Sequence, residues 1–96
     1  MRTSGPEVIA ITAKKWEFIP REIRLARGRE VILEITSIEG HHGYEVPALG
    51  VRADLKQGVP VRIPLVPDKA GTYEFHCDVY CGDGHEEMGG TLIVEA

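Results

Sequence analysis

Apolar and polar positions alternate along most of the chain. The cleanest stretch is 59–65, where Val59, Val61, Ile63 and Leu65 face away from Pro60, Arg62 and Pro64. A period of two predicts a strand, and prolines on its outer positions mark a sheet edge. Val31, Leu33 and Ile35 line one face of a strand over 30–37, and Ile23 and Leu25 point inward from a shorter one over 22–26. The Arg27–Arg29 turn between them predicts a hairpin. Tyr73, Phe75 and Cys77 share a face of a strand over 72–77, and 90–95 forms a final strand. Over 7–13, Ile9, Ile11 and Ala13 oppose Val8, Ala10 and Thr12, which reads as a strand buried on both faces. A brief strand is expected at 44–47. Residues 14–21, with Trp16, Phe18 and Pro20, and 48–57, with Val51 and Leu55 as anchors, read as irregular connections. No segment has a useful helical period. Seven or eight short strands with turn signals between them predict an all-β, Greek-key β-sandwich.

Length changes the picture little: 96 residues make one domain, 1–96, with a modest core. No run approaches the roughly 18–20 apolar residues of a membrane span, and the N-terminal residues 1–6 carry no apolar signal core. An export signal or anchor is therefore not in this chain. The net charge of −4 argues against nucleic acid as a partner. Charge is unevenly spread. Glu74, Asp78, Asp83, Glu86, Glu87 and Glu95 lie in 70–96, which has no Lys or Arg, whereas 14–30 is rich in both.

Candidate chemistry is concentrated in 76–90. Both cysteines and the only internal methionine lie there, in the spacing Cys77-x3-Cys81-x3-His85-x2-Met88. Thiolates and thioethers are soft ligands suited to copper in its lower oxidation state, and imidazole suits both copper states. A disulfide across so short a separation would close only a tiny, strained loop. His76, adjacent to Cys77 on a strand, points to the opposite face and is left out of the site. If strand 30–37 runs the same way as 72–77, the loop 38–43 lands beside Cys77, with one of His41 and His42 facing the site. The 27–29 and 66–71 turns then fall at the far end, and the 14–21 connection starts near the site.

With those residues in place, His42-Gly43-Tyr44-Glu45-Val46-Pro47 followed by C-x3-C-x3-H-x2-M resembles the copper A domain, the cupredoxin module of cytochrome c oxidase subunit II and nitrous oxide reductase. The resemblance implies two copper ions forming a mixed-valence centre for one-electron transfer. By position it makes His42 and His85 the histidine ligands, Cys77 and Cys81 the bridging thiolates, Met88 a weak axial ligand and the backbone carbonyl of Val79 the other. Many subunit II sequences have glutamate at the Val79 position, a change that leaves a carbonyl ligand intact. It also implies an extracytoplasmic setting, periplasmic or on the outer membrane face, and a redox partner such as a c-type cytochrome or a terminal oxidase or reductase. A monomeric electron-transfer domain is expected rather than an enzyme. Glu39 stands where the family typically has aspartate, and its carboxylate is expected to orient the ligand histidine. Trp16 matches an aromatic segment linked to electron entry. Asp78, Asp83, Glu86 and Glu87 are candidates for steering a cationic partner.

The main alternative is a copper carrier or assembly chaperone using the same Cys, His and Met ligands. A dithiol oxidoreductase leaves His42, His85 and Met88 without a role. Structural zinc leaves Met88 unused and departs from common zinc-finger spacing.

Overall fold

A computed structural model describes residues 6–78 and 88–96. Nine strands form within them: β1 Glu7–Lys14, β2 Glu17–Ile19, β3 Glu22–Ala26, β4 Val31–Ser37, β5 His42–Val46, β6 Val51–Leu55, β7 Val61–Leu65, β8 Gly71–His76 and β9 Gly89–Glu95. They build a four-stranded sheet in the order β2-β1-β4-β7 and a five-stranded sheet in the order β3-β9-β8-β5-β6. The chain crosses between sheets after β2, β3, β4, β6 and β7, which gives the Greek-key β-sandwich its interlocked wiring.

Alternation places the core. Val31, Leu33, Ile35 and Ser37 of β4 are all buried, with half-buried residues between them. Ile23 and Leu25 point inward from β3, and β7 is an edge strand with Pro64 on its exposed face. Phe18 from one sheet meets Tyr44 and Phe75 from the other edge-on, with ring centroids 5.4 and 5.5 Å apart. Such pairs add about 0.5–1.5 kcal/mol beyond their area burial.

Four expectations need correction. β3 and β4 are not a hairpin: they lie in different sheets, β3 parallel to β9 and β4 parallel to β1. The 14–21 connection contains β2, which pairs Ala13 with Phe18. Residues 48–57 are regular, with a 3₁₀ turn at Pro47–Leu49 leading into β6. The turn closes through Gly50, whose positive φ of 68° lets its N–H reach the Pro47 carbonyl at 3.2 Å. Lastly, β1 is buried on one face only, with Val8 and Ala10 exposed. In a two-layer sandwich the outer face of each sheet meets water.

The ends of the sandwich fall as expected. Lys15 N donates to the Glu39 carboxylate at 3.0 Å and Ile38 N to the Ala13 carbonyl at 2.9 Å, so the β1–β2 turn and the loop after β4 share one end. At the other end, Gly28 N donates to the Pro67 carbonyl at 2.6 Å.

Among the described residues two buried side-chain polar atoms lack a partner, His42 Nδ1 and the Tyr44 hydroxyl. The Tyr44 hydroxyl is fully buried with no hydrogen-bond partner among the described residues. Burial pushes this phenol well above its ordinary value of 10.0. Tyr44→Phe is therefore expected to stabilise the domain by about 1–2 kcal/mol, the desolvation cost of an unpaired group. The native phenol keeps its proton above pH 10 while the unfolded one loses it. Tyr44 thus lowers stability as pH rises past that value, and the phenylalanine variant loses that share of the alkaline decline. Urea titrations of both proteins at pH 7 and pH 10.5 test this, and a less stable variant at pH 7 would refute it.

Candidate metal centre

His42 opens β5, and its strand parity decides which of the adjacent histidines turns inward. His42, Tyr44 and Val46 share the buried face, whereas His41 precedes the strand and is exposed. The His42 ring is entirely buried. Its Nε2 lies 2.7 Å from the Glu39 carbonyl oxygen. A carbonyl only accepts, so Nε2 carries the proton and donates it. The in-plane lone pair then belongs to Nδ1, which is buried with no partner among the described residues.

Cys77 follows β8 and is also buried. Its Sγ accepts a hydrogen bond from Gly43 N at 3.4 Å, which ties the thiol to the residue after His42. Cys77 N donates to the Met88 carbonyl at 3.1 Å, extending the β8–β9 ladder by one rung. Met88 is buried in turn. Thus β5, β8 and β9, three neighbours in one sheet, deliver an imidazole, a thiol and a thioether to one end of the sandwich.

The glycines after Met88 are required by close packing. A Cβ at Gly89 would stand 2.8 Å from the Phe75 carbonyl oxygen. One at Gly90 would overlap the Arg21 carbonyl oxygen and come within 2.5 Å of Phe75 Cζ.

Val79, Cys81 and His85, together with Asp83, Glu86 and Glu87, lie outside the described residues. Among the described residues no three His, Cys, Asp or Glu side chains gather as a metal site. His42, Cys77 and Met88 are what the described part brings together. They suit a soft metal: the histidine offers a lone pair without a proton donor among the described residues, and the next residue along its strand is tied to a buried thiol.

One expected role changes. The Glu39 carboxylate accepts from Lys15 N, and the contact with His42 runs through the Glu39 carbonyl. Asp78 is held by Arg52 in a two-pronged ion pair, Nε to Oδ2 at 2.6 Å and a terminal nitrogen to Oδ1 at 3.1 Å. Arg52 also pairs with Asp54 at 2.8 Å, so one guanidinium is shared by two carboxylates and the cluster keeps a net negative charge, while the pair fastens the residue after Cys77 to β6. Arg52 is exposed and Asp78 half-buried, so the pair stays open to water on the Arg52 side and adds modest stability. His76 points outward as expected, with Nε2 3.0 Å from the Glu45 carboxylate. Trp16 is 37% exposed in the turn between β1 and β2, at the same end as His42.

Sequence reading missed three contributors: Gln57, whose Oε1 accepts from Gly40 N at 2.8 Å, Ser37, whose Oγ donates to the Gly40 carbonyl, and the Gly43 N–H. The family resemblance of the His42–Pro47 motif separated His42 from His41 in the sequence, and the alternation of His42, Tyr44 and Val46 agrees with it. The hydrogen bonds of Ser37 and Gln57 depend on loop geometry and leave no local pattern.

Comparison with known proteins bears on the family and the fold. Cytochrome c oxidase subunit 2 of Thermus thermophilus is 28% identical over 94 residues, covering 96% of this chain and 70% of its own length. Nitrous-oxide reductase of Cupriavidus necator is 30% identical over 99 residues, covering 99% of this chain but only 15% of the reductase. The crystal structure of the periplasmic domain of subunit II of cytochrome oxidase from Bradyrhizobium japonicum superimposes with a TM-score of 0.86 at 20% identity, covering 99% of this chain and 88% of that one, a likeness of fold. No helix among the described residues is long and apolar enough to cross a membrane. The cupredoxin-like domain model matches residues 2–94, nearly the whole sequence, and the chain belongs to that family.

Proposed function

We propose that residues 1–96 act as one electron-transfer domain built around a dinuclear copper A centre. His42, Cys77, Cys81, His85, Met88 and the Val79 carbonyl would hold the two copper ions, with both thiolates bridging. The observation that carries this reading is the His42 ring, buried with its Nδ1 lone pair unpartnered among the described residues, on the strand next to the one that Cys77 follows. Copper supplies a one-electron couple when bound there.

The chain does the rest. The Glu39 carbonyl fixes the His42 tautomer and points Nδ1 away from its own hydrogen bond. The Gly43 N–H stabilises negative charge on the Cys77 sulfur, a contact of the kind that tunes the potential of copper–thiolate sites. Burial of His42, Cys77 and Met88 excludes water, and three hydrogen-bonded strands hold their backbones still as charge changes. Trp16 is the proposed point of electron entry. A c-type cytochrome is the proposed donor, and an oxidase or reductase the acceptor, in an extracytoplasmic compartment. In this reading the domain is a monomer that relays electrons and turns over no substrate of its own.

Copper loading followed by metal analysis and electron paramagnetic resonance tests this. The expected result is two coppers per chain and a seven-line hyperfine pattern from an electron shared equally by both. One copper per chain with a four-line pattern would overturn the dinuclear reading. Full release of copper to a weak chelator would favour the copper-carrier alternative.

A further inference from the structure

The peptide unit joining Glu39 and Gly40 is hydrogen-bonded at both ends. Its carbonyl, on Glu39, accepts from His42 Nε2 at 2.7 Å. Its N–H, on Gly40, donates to Gln57 Oε1 at 2.8 Å. Because a peptide unit is planar and rigid, whatever fixes one end fixes the other. Hydrogen bonds in series also polarise one another: an acceptor on the N–H makes the carbonyl of the same unit a better acceptor. The side chain of Gln57 is thus linked to the His42 ring through a single peptide plane.

The surroundings keep that plane in place. Ser37 Oγ donates to the Gly40 carbonyl, Lys15 N binds the Glu39 carboxylate at 3.0 Å and Ile38 N binds Ala13 at 2.9 Å. Gly40 has φ +86°, and a Cβ there would stand 3.6 Å from His42 Nε2. Gln57 is itself anchored. It bridges to Ser37 in parallel, Gly58 N donates to the Ser37 carbonyl at 2.8 Å, and Val59 N closes a turn onto the Lys56 carbonyl at 3.0 Å. Its backbone is fixed where its amide oxygen can meet Gly40.

We propose that Gln57 is a positioning residue for His42, acting through the 39–40 peptide to hold Nε2 as the protonated nitrogen and to strengthen Nδ1 as a donor. This rests on His42 being a metal ligand, as proposed above. Removing the acceptor weakens the Nε2–H hydrogen bond and the donor strength of Nδ1. A weaker nitrogen donor favours the lower copper oxidation state, so the reduction potential rises. Copper(II) affinity falls about 3–10-fold, at or below the low end for partners that touch a ligand directly, since Gln57 acts one peptide away and is exposed to water.

The experiment compares wild type, Gln57→Ala and Gln57→Glu. In metal-free, ¹⁵N-labelled protein, imidazole nitrogen shifts and the Nε2–H exchange rate report the tautomer without any copper. Gln57→Ala is expected to speed that exchange and shift Nδ1 and Nε2 toward each other, whereas Gln57→Glu, which keeps an acceptor oxygen, holds the wild-type pattern. Copper(II) competition and voltammetry are expected to show weaker binding and a higher potential for Gln57→Ala alone. Unchanged imidazole shifts and exchange in Gln57→Ala overturn the proposal, even where its melting temperature drops. A His42→Leu protein that keeps the full copper spectrum overturns the ligand role of His42 instead, and does so whatever the metal-free spectra show.

Discussion

If the proposed copper A centre forms, replacing His42 with leucine should abolish its signal and yet leave the metal-free domain about as stable as before, within about 1 kcal/mol. Two opposing terms produce that balance. The variant loses the hydrogen bond from Nε2 to the Glu39 carbonyl, worth about 0.5–1.5 kcal/mol. It also removes an Nδ1 lone pair that is desolvated without a partner among the described residues, a burden of about 1–3 kcal/mol. Leucine fills a similar volume on the buried face of β5. Denaturant titration of the metal-free proteins measures the first half, and copper titration followed by thiolate–copper absorption measures the second. A loss above about 3 kcal/mol would mark His42 as an ordinary core histidine held for packing. An intact absorption spectrum would remove it from the ligand set.

Gly90→Ala should damage the fold far more, although it adds one methyl group. The new Cβ would overlap the backbone oxygen of Arg21 and press on Phe75 Cζ at 2.5 Å. Neither neighbour can turn aside. The Arg21 carbonyl is engaged with Thr91 N at 2.7 Å at the start of the β3–β9 ladder, and Phe75 is packed between Phe18 and Tyr44. The strand pair must separate, so the cost lies at or above the top of the usual range for overpacking, about 3 kcal/mol. For a domain of this size that corresponds to a melting temperature lower by roughly 12–24 °C. Circular dichroism on heating measures it, and a shift of only a few degrees would show that β3 and β9 can part at little cost. Because Met88 lies two residues earlier, the same displacement should also lower copper retention.

The strands that alternate with one buried face were legible: β3, β4, β7, β8 and β9 sit close to where their patterns predict. Two strands escaped. β2 is three residues long, too short to show a period. β6, Val51–Leu55, lies at a sheet edge and has only Leu55 buried, so Arg52 and Asp54 give it the look of a loop. The hairpin expected for β3 and β4 failed for a different reason. The turn at 27–29 is real, but whether two strands joined by a turn share a sheet depends on what else lies beside them. Here β9 and β1 offer parallel neighbours from opposite ends of the sequence. Val8 and Ala10 misled because apolar residues on an outer face look the same in sequence as those in a core.

Part of the site was legible for a chemical reason. Cys77, His42 and Met88 are residue types whose spacing carries meaning, and the structure buries all three. Glu39 was singled out, but its contact with His42 comes from a backbone carbonyl, which every residue has. The links through Ser37 and Gln57 arise the same way, between segments brought together only by folding.

The place of β9 in its sheet has a consequence for biosynthesis. β9 lies between β3 and β8, and among the described residues β3 has no other neighbour in that sheet. As the chain leaves the ribosome or a translocation channel, β3 appears early and then waits for residues 89–95 to pair with it. Through that interval Ile23 and Leu25 have no strand beside them, and Met88, just before β9, has no ladder to hold it near Cys77. If Cys77 and Met88 hold metal as proposed, an ion arriving before then would meet their sulfurs without the strands that set their spacing, so metal delivery would have to follow the emergence of β9.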